Sequence, residues 1–367
     1  MKLFLNIISA IAVAALVPLD LQNRNFEVKT TTIPSELSNN QTFANFISTK
    51  YGLDGPQLSG VNSSSFDWWY FDAVSPDAQT AISVIFFTSV NSGFPLLSSP
   101  SNVTSIVISF RFANGTIGFI PLFASEAIIK TVGQGSSGTF TGTGVSWKGS
   151  PDLSEYCVEL DSPAIKGTFT LQSTSPAHYP CSAVKPGQSL LVAPHIGWSN
   201  ALPDADAAVD FAILGSKMKF KGSAYHDKNW GDQPWNANMA SEYWGHVRIG
   251  PYKIVWLNVI DRTGTEHISA YASRNNRILT ASCSPDSLLV RPINSTYPPS
   301  IATADPTAFS IVLNLGHEGT LRANVTAVAD LVNAAPVYRR WSGTAVGAVN
   351  GGKPLTGYGV WEQFKFV

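Results

Sequence analysis

Apolar and polar positions along this chain alternate at a period of two, in short runs broken by Gly, Pro and Asn. "AISVIFFTSV" at 81–90, "SIVISFRF" at 105–112 and "GTIGFIPLF" at 115–123 are β-branched or aromatic. The "ANGT" between the last two is a hairpin signal. "GTFTGTGVSW", "YCVELDS" and "IKGTFTLQS" follow at similar spacing, and "SKMKFKGSAYHD", "EYWGHVRIG", "YKIVWLNVID", "HISAYASR" and "TLRANVTAVADLV" continue the style in the second half. Only Gln41 to Tyr51 reads as a helix. With 29 Gly and 23 Pro, the pattern predicts an all-β chain built as sandwiches or barrels.

The stretch "SAVKPGQSLLVAPHIGWSNALPDADAAVD" at 182–210 breaks this rhythm, with Pro186, Pro194 and Pro203 inside it. It predicts a boundary near 205–217, separating residues 19–210 from 211–367, with about eight strands in each half. No low-complexity linker intervenes, so the halves are expected to pack tightly against each other.

Alternation also assigns faces. In "FDWWYFD", residues 66–72, Phe66, Trp68, Tyr70 and Asp72 share one face, while Asp67, Trp69 and Phe71 share the other. Both faces are aromatic, which predicts a strand buried on both sides. Acids in such a strand need partners or a function, because an unpaired buried charge is expensive. Asp67 is assigned a structural role; the Trp68, Tyr70 and Asp72 face is assigned to a pocket. In "YHDKNWGD", Tyr225, Asp227 and Asn229 point one way and His226, Lys228 and Trp230 the other. Capping of a strand end explains Asp227 and Asp232 as readily as catalysis does, and a satisfied structural histidine explains His226. In "EYWGHVRIG", Glu242, Trp244, His246 and Arg248 share a face. Trp and His among charges suit the interior of a ligand-holding barrel better than a solvent face.

Composition narrows the function classes. Charged residues are 13% of the chain and the net charge is −1, so no basic field exists to hold nucleic acid or an anionic membrane. Lys2 followed by the apolar run Leu3–Val17 reads as a signal peptide over 1–18, cleaved between about 14 and 20 and too short for a stable membrane span. Secretory, vesicular or extracellular localisation follows as an expectation. N-x-Ser/Thr sequons begin at Asn40, Asn62, Asn102, Asn114, Asn294 and Asn324; chance alone gives roughly four in a chain this rich in Asn, Ser and Thr. Of the three cysteines, Cys157 and Cys181 are closest in sequence and form the expected disulfide, which leaves Cys283 over. There is no G-x-S-x-G elbow, P-loop, H-E-x-x-H or zinc spacing.

"SFDWWYFD" and "YHDKNWGD", taken together with the terminal "GYGVWEQFKF", resemble the lipocalin-like family of carotenoid hydratase (hydroxyneurosporene synthase) relatives, and within it the fungal Diels–Alderases. The likeness covers nearly the whole chain after the leader. It implies two lipocalin-like antiparallel β domains with a ligand pocket at or near their interface. The pericyclase branch implies a [4+2] cycloaddition, Diels–Alder or hetero-Diels–Alder, in fungal secondary metabolism. Its substrate is a small apolar polyene, or a diene and dienophile, and it needs no cofactor. An apolar cavity that holds reactants near attack geometry supplies most of that catalysis, and donors aimed at a carbonyl supply the rest. Trp68, Tyr70, Trp230, Trp235, Trp244, Trp341 and Trp361 are candidate walls; Tyr70, Tyr225, His246, Lys353 and Tyr358 are candidate donors. The hydratase branch instead implies acid–base work by His226 and Asp227, with Asp72 a further pocket acid. A secreted lipocalin-like binding protein without turnover is the third expectation.

Overall fold

The computed structural model describes residues 26–367, so the expected signal peptide lies outside the described residues. Among the described residues the chain is all-β, apart from one short helix and a single 3-10 turn. The first sheet holds β1 (Val28–Pro34), β2 (Phe66–Val74), β3 (Ala81–Ser89), β4 (Thr104–Arg111), β5 (Ile117–Phe123), β6 (Glu126–Val132), β7 (Gly135–Phe140), β8 (Val145–Gly149), β9 (Glu155–Asp161), β10 (Ile165–Ser173), the short β11 (His178–Tyr179), β12 (Ser182–Ala183) and β13 (Leu191–Ala193), then the long β14 (Ile196–Ile213) and β15 (Ser216–Gly231). The helix α1 (Trp235–Asn238) leads into the second sheet: β16 (Met239–Ile249), β17 (Tyr252–Asp261), β18 (Glu266–Arg274), β19 (Arg277–Ser282), β20 (Leu288–Ile293), β21 (Ala308–Asn314), β22 (Thr320–Ala334), β23 (Tyr338–Val349) and β24 (Leu355–Lys365).

The main path of the first sheet runs β1-β6-β7-β8-β9-β10-β14-β15-β2-β3-β4-β5, and the second runs β19-β18-β17-β16-β24-β23-β22-β21-β20. The "ANGT" hairpin forms as expected: β4 and β5 pair antiparallel, and Gly115 takes the positive φ of 91° that an L side chain disfavours.

Three apolar clusters follow from strand alternation. One lies inside the first sheet and includes Trp69, Phe71 and Trp147. Another lies inside the second, around Trp256, Trp341 and Trp361. The third lies between the sheets, around Phe66, Trp68, Tyr70, Tyr225, Trp244 and Phe364. Each fully buried aromatic or large aliphatic side chain contributes about 1.5–3 kcal/mol.

Three expectations need correction. The passage between sheets falls at 232–238, not at 205–217, because β14 and β15 form one long hairpin within the first sheet. Pro203 does not break β14. It sits where the register shifts between Leu202 and Ala205, so its missing N–H leaves no gap in the ladder. Residues 41–51 are not helical: Asn45 N–H donates to the Gln57 carbonyl and Ser48 N–H to the Gln188 carbonyl, so distant segments take the donors a helix would use. The disulfide joins Cys181 to Cys283, with Cα atoms 4.8 Å apart, and Cys157 is free. Cys157 is held within β9 between β8 and β10, whereas Cys181 sits on the β11–β12 turn, and β12 lies against β19 of the other sheet. Proximity in sequence was the wrong guide. Among the described residues, no helix is long and apolar enough to cross a membrane.

Candidate active site between the sheets

The cavity of about 540 Å³ lies in the cluster between the sheets. Its floor is the first sheet, read across strands. Asp227 of β15 opposes Tyr70 of β2, which opposes Ile85 of β3, which opposes Val107 of β4. A parallel row runs Asn229, Trp68, Phe87. Its roof is the second sheet, where Leu257, Trp244, Glu362 and Arg340 form one row and Glu242, Phe364 and Tyr338 the next. Directly opposed residues on antiparallel strands project to the same side, so each row delivers its side chains together. Phe94, Leu96, Leu97 and Trp235 close one flank.

Polar stitches join floor to roof at the base of this cavity. His246 Nε2 lies 3.0 Å from the Asp72 carboxylate, which also accepts the Tyr70 hydroxyl at 2.6 Å. Trp244 Nε1 donates to Tyr225 Oη at 3.3 Å, and the Tyr225 ring stacks on His246 at 4.6 Å. The Arg340 guanidinium lies 4.5 Å from the Tyr70 ring centroid and donates to Ser83 Oγ at 3.2 Å. Such cross-links fix the wall positions before a ligand arrives, which is the condition for preorganised catalysis.

Three carboxyls line the cavity, and each has a different environment. Glu362 is paired with a cation: its Oε2 accepts Tyr338 Oη at 2.7 Å and Arg340 Nε at 2.8 Å. Asp227 Oδ2 accepts Trp198 Nε1 and Tyr225 Oη, each at 2.7 Å. Burial nevertheless dominates there and pushes its pKa up to about 7. Glu242 is 4% exposed and its Oε2 has no hydrogen-bond partner. Burial, then the negative charges of Glu362 and Asp227, hold its carboxyl well above the ordinary range despite Arg340. Burial and neighbouring negative charge thus favour the protonated form of Glu242 in a largely apolar chamber, beside an aspartate whose pKa burial also raises.

A model of the Diels-Alderase-like family matches residues 31–288. The chain belongs to the Diels-Alderase-like family. It is 37% identical over 91% of its length to a quinolone epoxide rearrangement protein of Penicillium thymicola, covering 94% of that protein. Another protein of that description, from Emericella nidulans, is 34% identical over 91% of this chain and 92% of its own. A Diels-Alderase of Chaetomium globosum is 22% identical over 84% of this chain and 70% of its own. These relatives are enzymes. The crystal structure of CghA with Sch210972 superposes with a TM-score of 0.75 at 16% identity, covering 92% of this chain and 98% of that one. Kievitone hydratase from Nectria haematococca superposes at 0.55 with 18% identity, covering 91% of this chain and 98% of its own. Both likenesses bear on the fold, which is lipocalin-like as expected.

In this Diels-Alderase-like chain the strand faces fall as alternation predicts. Trp68 and Tyr70 line the cavity, with Asp72 beneath them; Asp67 pairs with Lys228 on the other side of β2. Trp235, Trp244 and Asp227 also line it, with Tyr225 and His246 behind. His226 does not reach it: its ring lies inside the first sheet, stacked on Phe71 at 3.9 Å. The adjacent His226 and Asp227 thus serve different compartments, because neighbours in a strand face opposite ways. Trp230 is in the same inner core, its Nε1 donating to the Asn45 carbonyl. Trp341 and Trp361 pack on the far face of the second sheet. Lys353 is exposed on the β23–β24 turn, and Tyr358 lies beside the interface but outside the cavity. Glu242 shared the face of Trp244 and His246 in the sequence and was still left out of the expected site. Arg340, Tyr338 and Glu362 carried no local signal, since only the pairing of β23 with β24 brings them in.

Proposed function

We propose that this protein isomerises a small apolar substrate bearing an epoxide, by acid-assisted rearrangement in the cavity between its sheets. The observation that carries this is Glu242: a buried carboxyl whose Oε2 has no hydrogen-bond partner, with its pKa raised by burial, in the wall of an aromatic chamber. The description of the relatives at 37% and 34% identity supports it and suggests a quinolone-like head. Glu242 donates its proton to the epoxide oxygen as the C–O bond breaks. The resulting carbocation lies against the faces of Trp68, Tyr70 and Trp244, where cation–π attraction contributes about 0.5–2 kcal/mol, and near the Asp227 carboxylate. A group migrates to the cationic carbon, a carbonyl forms, and the proton returns to Glu242. The product is an isomer of the substrate, so no further reactant is needed.

Rate should rise with pH through about 7 as Asp227 ionises and fall at higher pH as Glu242 loses its proton. Incubation with an epoxidised quinolone, followed by NMR of the product across pH, tests both points. The [4+2] cycloaddition is a second reading. It is favoured by the enclosed apolar walls and by the relatives described as Diels-Alderases. A pericyclase would turn over a diene and dienophile with a flat pH profile and leave the epoxide untouched; that result sinks the acid mechanism.

The reading includes entry into the secretory pathway. Asn40, Asn114, Asn294 and Asn324 are exposed, whereas the Asn102 amide already donates to the Ala124 carbonyl. A mobility shift on glycosidase treatment, lost when the exposed asparagines are replaced, checks it.

A further inference from the structure

The cavity floor does not stop at the cavity. Its central row continues from Asp227, Tyr70, Ile85 and Val107 to Pro121 of β5, the last strand on this side of the sheet. Flanking rows end on Phe123, opposite Ser105, and on Phe119, opposite Ser109. Ile117, Phe119, Pro121 and Phe123 therefore share one face of β5. That face is open: Ile117 is 46% exposed, Phe119 56% and Phe123 49%. Ile117 and Phe119 also wall the cavity itself, so strip and cavity are one surface. Strand β22 lies over β4 and β5, and its Leu331 and Val332 roof the passage.

Edge strands are normally blunted by charge, yet "IGFIPLF" carries none. Large exposed apolar patches mark binding surfaces. Pro121 lacks an N–H and interrupts the row of donors that an added strand would need, which disfavours a docked strand as occupant. Ser105 and Ser109 flank Val107 with small side chains, leaving a trough between the larger residues of the neighbouring strands. From Asp227 to Pro121 is four strand spacings, about 19 Å. That is longer than a two-ring head requires.

We propose that the exposed face of β5 is the distal half of the substrate site and holds an extended hydrocarbon tail, while the reacting head lies beside Glu242 and Asp227. The substrate class is an amphiphile: a polar, epoxide-bearing head on a long alkyl or isoprenoid chain. This rests on the acid-site reading for the position of the head; the tail site itself is tested by binding alone.

The probes are 2-propyl-, 2-heptyl- and 2-undecyl-4-quinolone, titrated by quenching of the cavity tryptophans. In the unmodified protein affinity should climb at each step, toward the limit of about three- to fourfold per methylene set by apolar transfer. In the Phe119→Asp/Phe123→Asp double variant the gain from heptyl to undecyl should shrink to under about threefold, a larger loss than the propyl compound suffers. Leu214→Asp, at an exposed apolar residue on the β14–β15 turn, should leave the whole series unaltered. Equal losses in both variants, or a plateau beyond heptyl in the unmodified protein, overturn the proposal. So does a change from dimer to monomer on size exclusion in the double variant with tail dependence intact, which makes the strip a self-association surface. If tail dependence holds but no epoxide is isomerised, the tail site stands and the acid mechanism fails.

Discussion

Two groups of buried acids lie on opposite sides of the floor strands β2 and β15, and they are managed in opposite ways. Inside the first sheet, Asp67 meets Lys228 Nζ at 2.5 Å, and Lys228 lies 4.7 Å from the ring centroids of both Trp69 and Trp230. Asp54 accepts Ser136 Oγ at 2.6 Å and Tyr156 Oη at 2.8 Å, and His226 Nε2 lies 3.0 Å from its other oxygen without an aligned hydrogen bond. On the cavity side, Glu242 has no such partner. Burial pushes the Asp67 carboxyl up and the Lys228 ammonium down, and their mutual attraction opposes both effects. For Glu242 only the more distant charge of Arg340 opposes burial, and no hydrogen bond reaches its Oε2, so the protonated form is favoured. One face spends its acids on architecture, and the other keeps them reactive. The difference lies in whether the neighbouring strand supplies a cation.

Removing the cation should break the structural half. Lys228→Met leaves Asp67 buried and unpaired, and should cost about 3–5 kcal/mol in urea unfolding. A loss under 1 kcal/mol would mean that the pair is not what holds this core. Glu242→Gln should do the reverse, keeping the fold and lowering kcat by at least about 100-fold; a large drop in stability with modest loss of rate would move Glu242 into the structural group.

The pH dependence sharpens the contrast. The Asp227 pKa is raised from 3.8 to about 7, so between those values the folded state holds a proton that the unfolded state has released. Its contribution therefore weakens stability as pH rises from about 4 to 7 and levels off above. Melting curves should show the unmodified protein losing a few degrees relative to Asp227→Asn across that window, and parallel curves would refute the shift. The smallest effect should come from Tyr156→Phe, which removes one of the two hydrogen bonds to the Asp54 carboxylate and should cost about 1 kcal/mol with unchanged turnover.

What was legible in the chain was local. Alternation alone separated Asp67 from Trp68 and Tyr70, and Asp227 from His226 and Lys228, because a strand's period is set by its own backbone. What was hidden was pairing across long separations. Arg340 reaches Glu362 and Tyr70 only once β23 lies beside β24 and the two sheets close. Cys181 finds Cys283 across 102 residues. The segment 41–51 has an apolar spacing that suits a helix, but its donors are claimed by the carbonyls of Gln57 and Gln188, outside the segment. Glu242 was legible and passed over, since a charged residue on a strand is more often a solvated one.

The back-to-back arrangement carries a consequence for how such a protein can change. On six strands the cavity positions fall on one parity: 68 and 70 on β2, 85 and 87 on β3, 227 and 229 on β15, 242 and 244 on β16, 338 and 340 on β23, 362 and 364 on β24, whereas the edge strand β5 and the overlying β22 contribute consecutive residues. The intervening residues hold the two inner cores. Selection can thus revise the chamber at every second residue while leaving the scaffold's own packing untouched. A laboratory library confined to that parity would sample new substrates at far lower risk of unfolding than one that randomised whole strands.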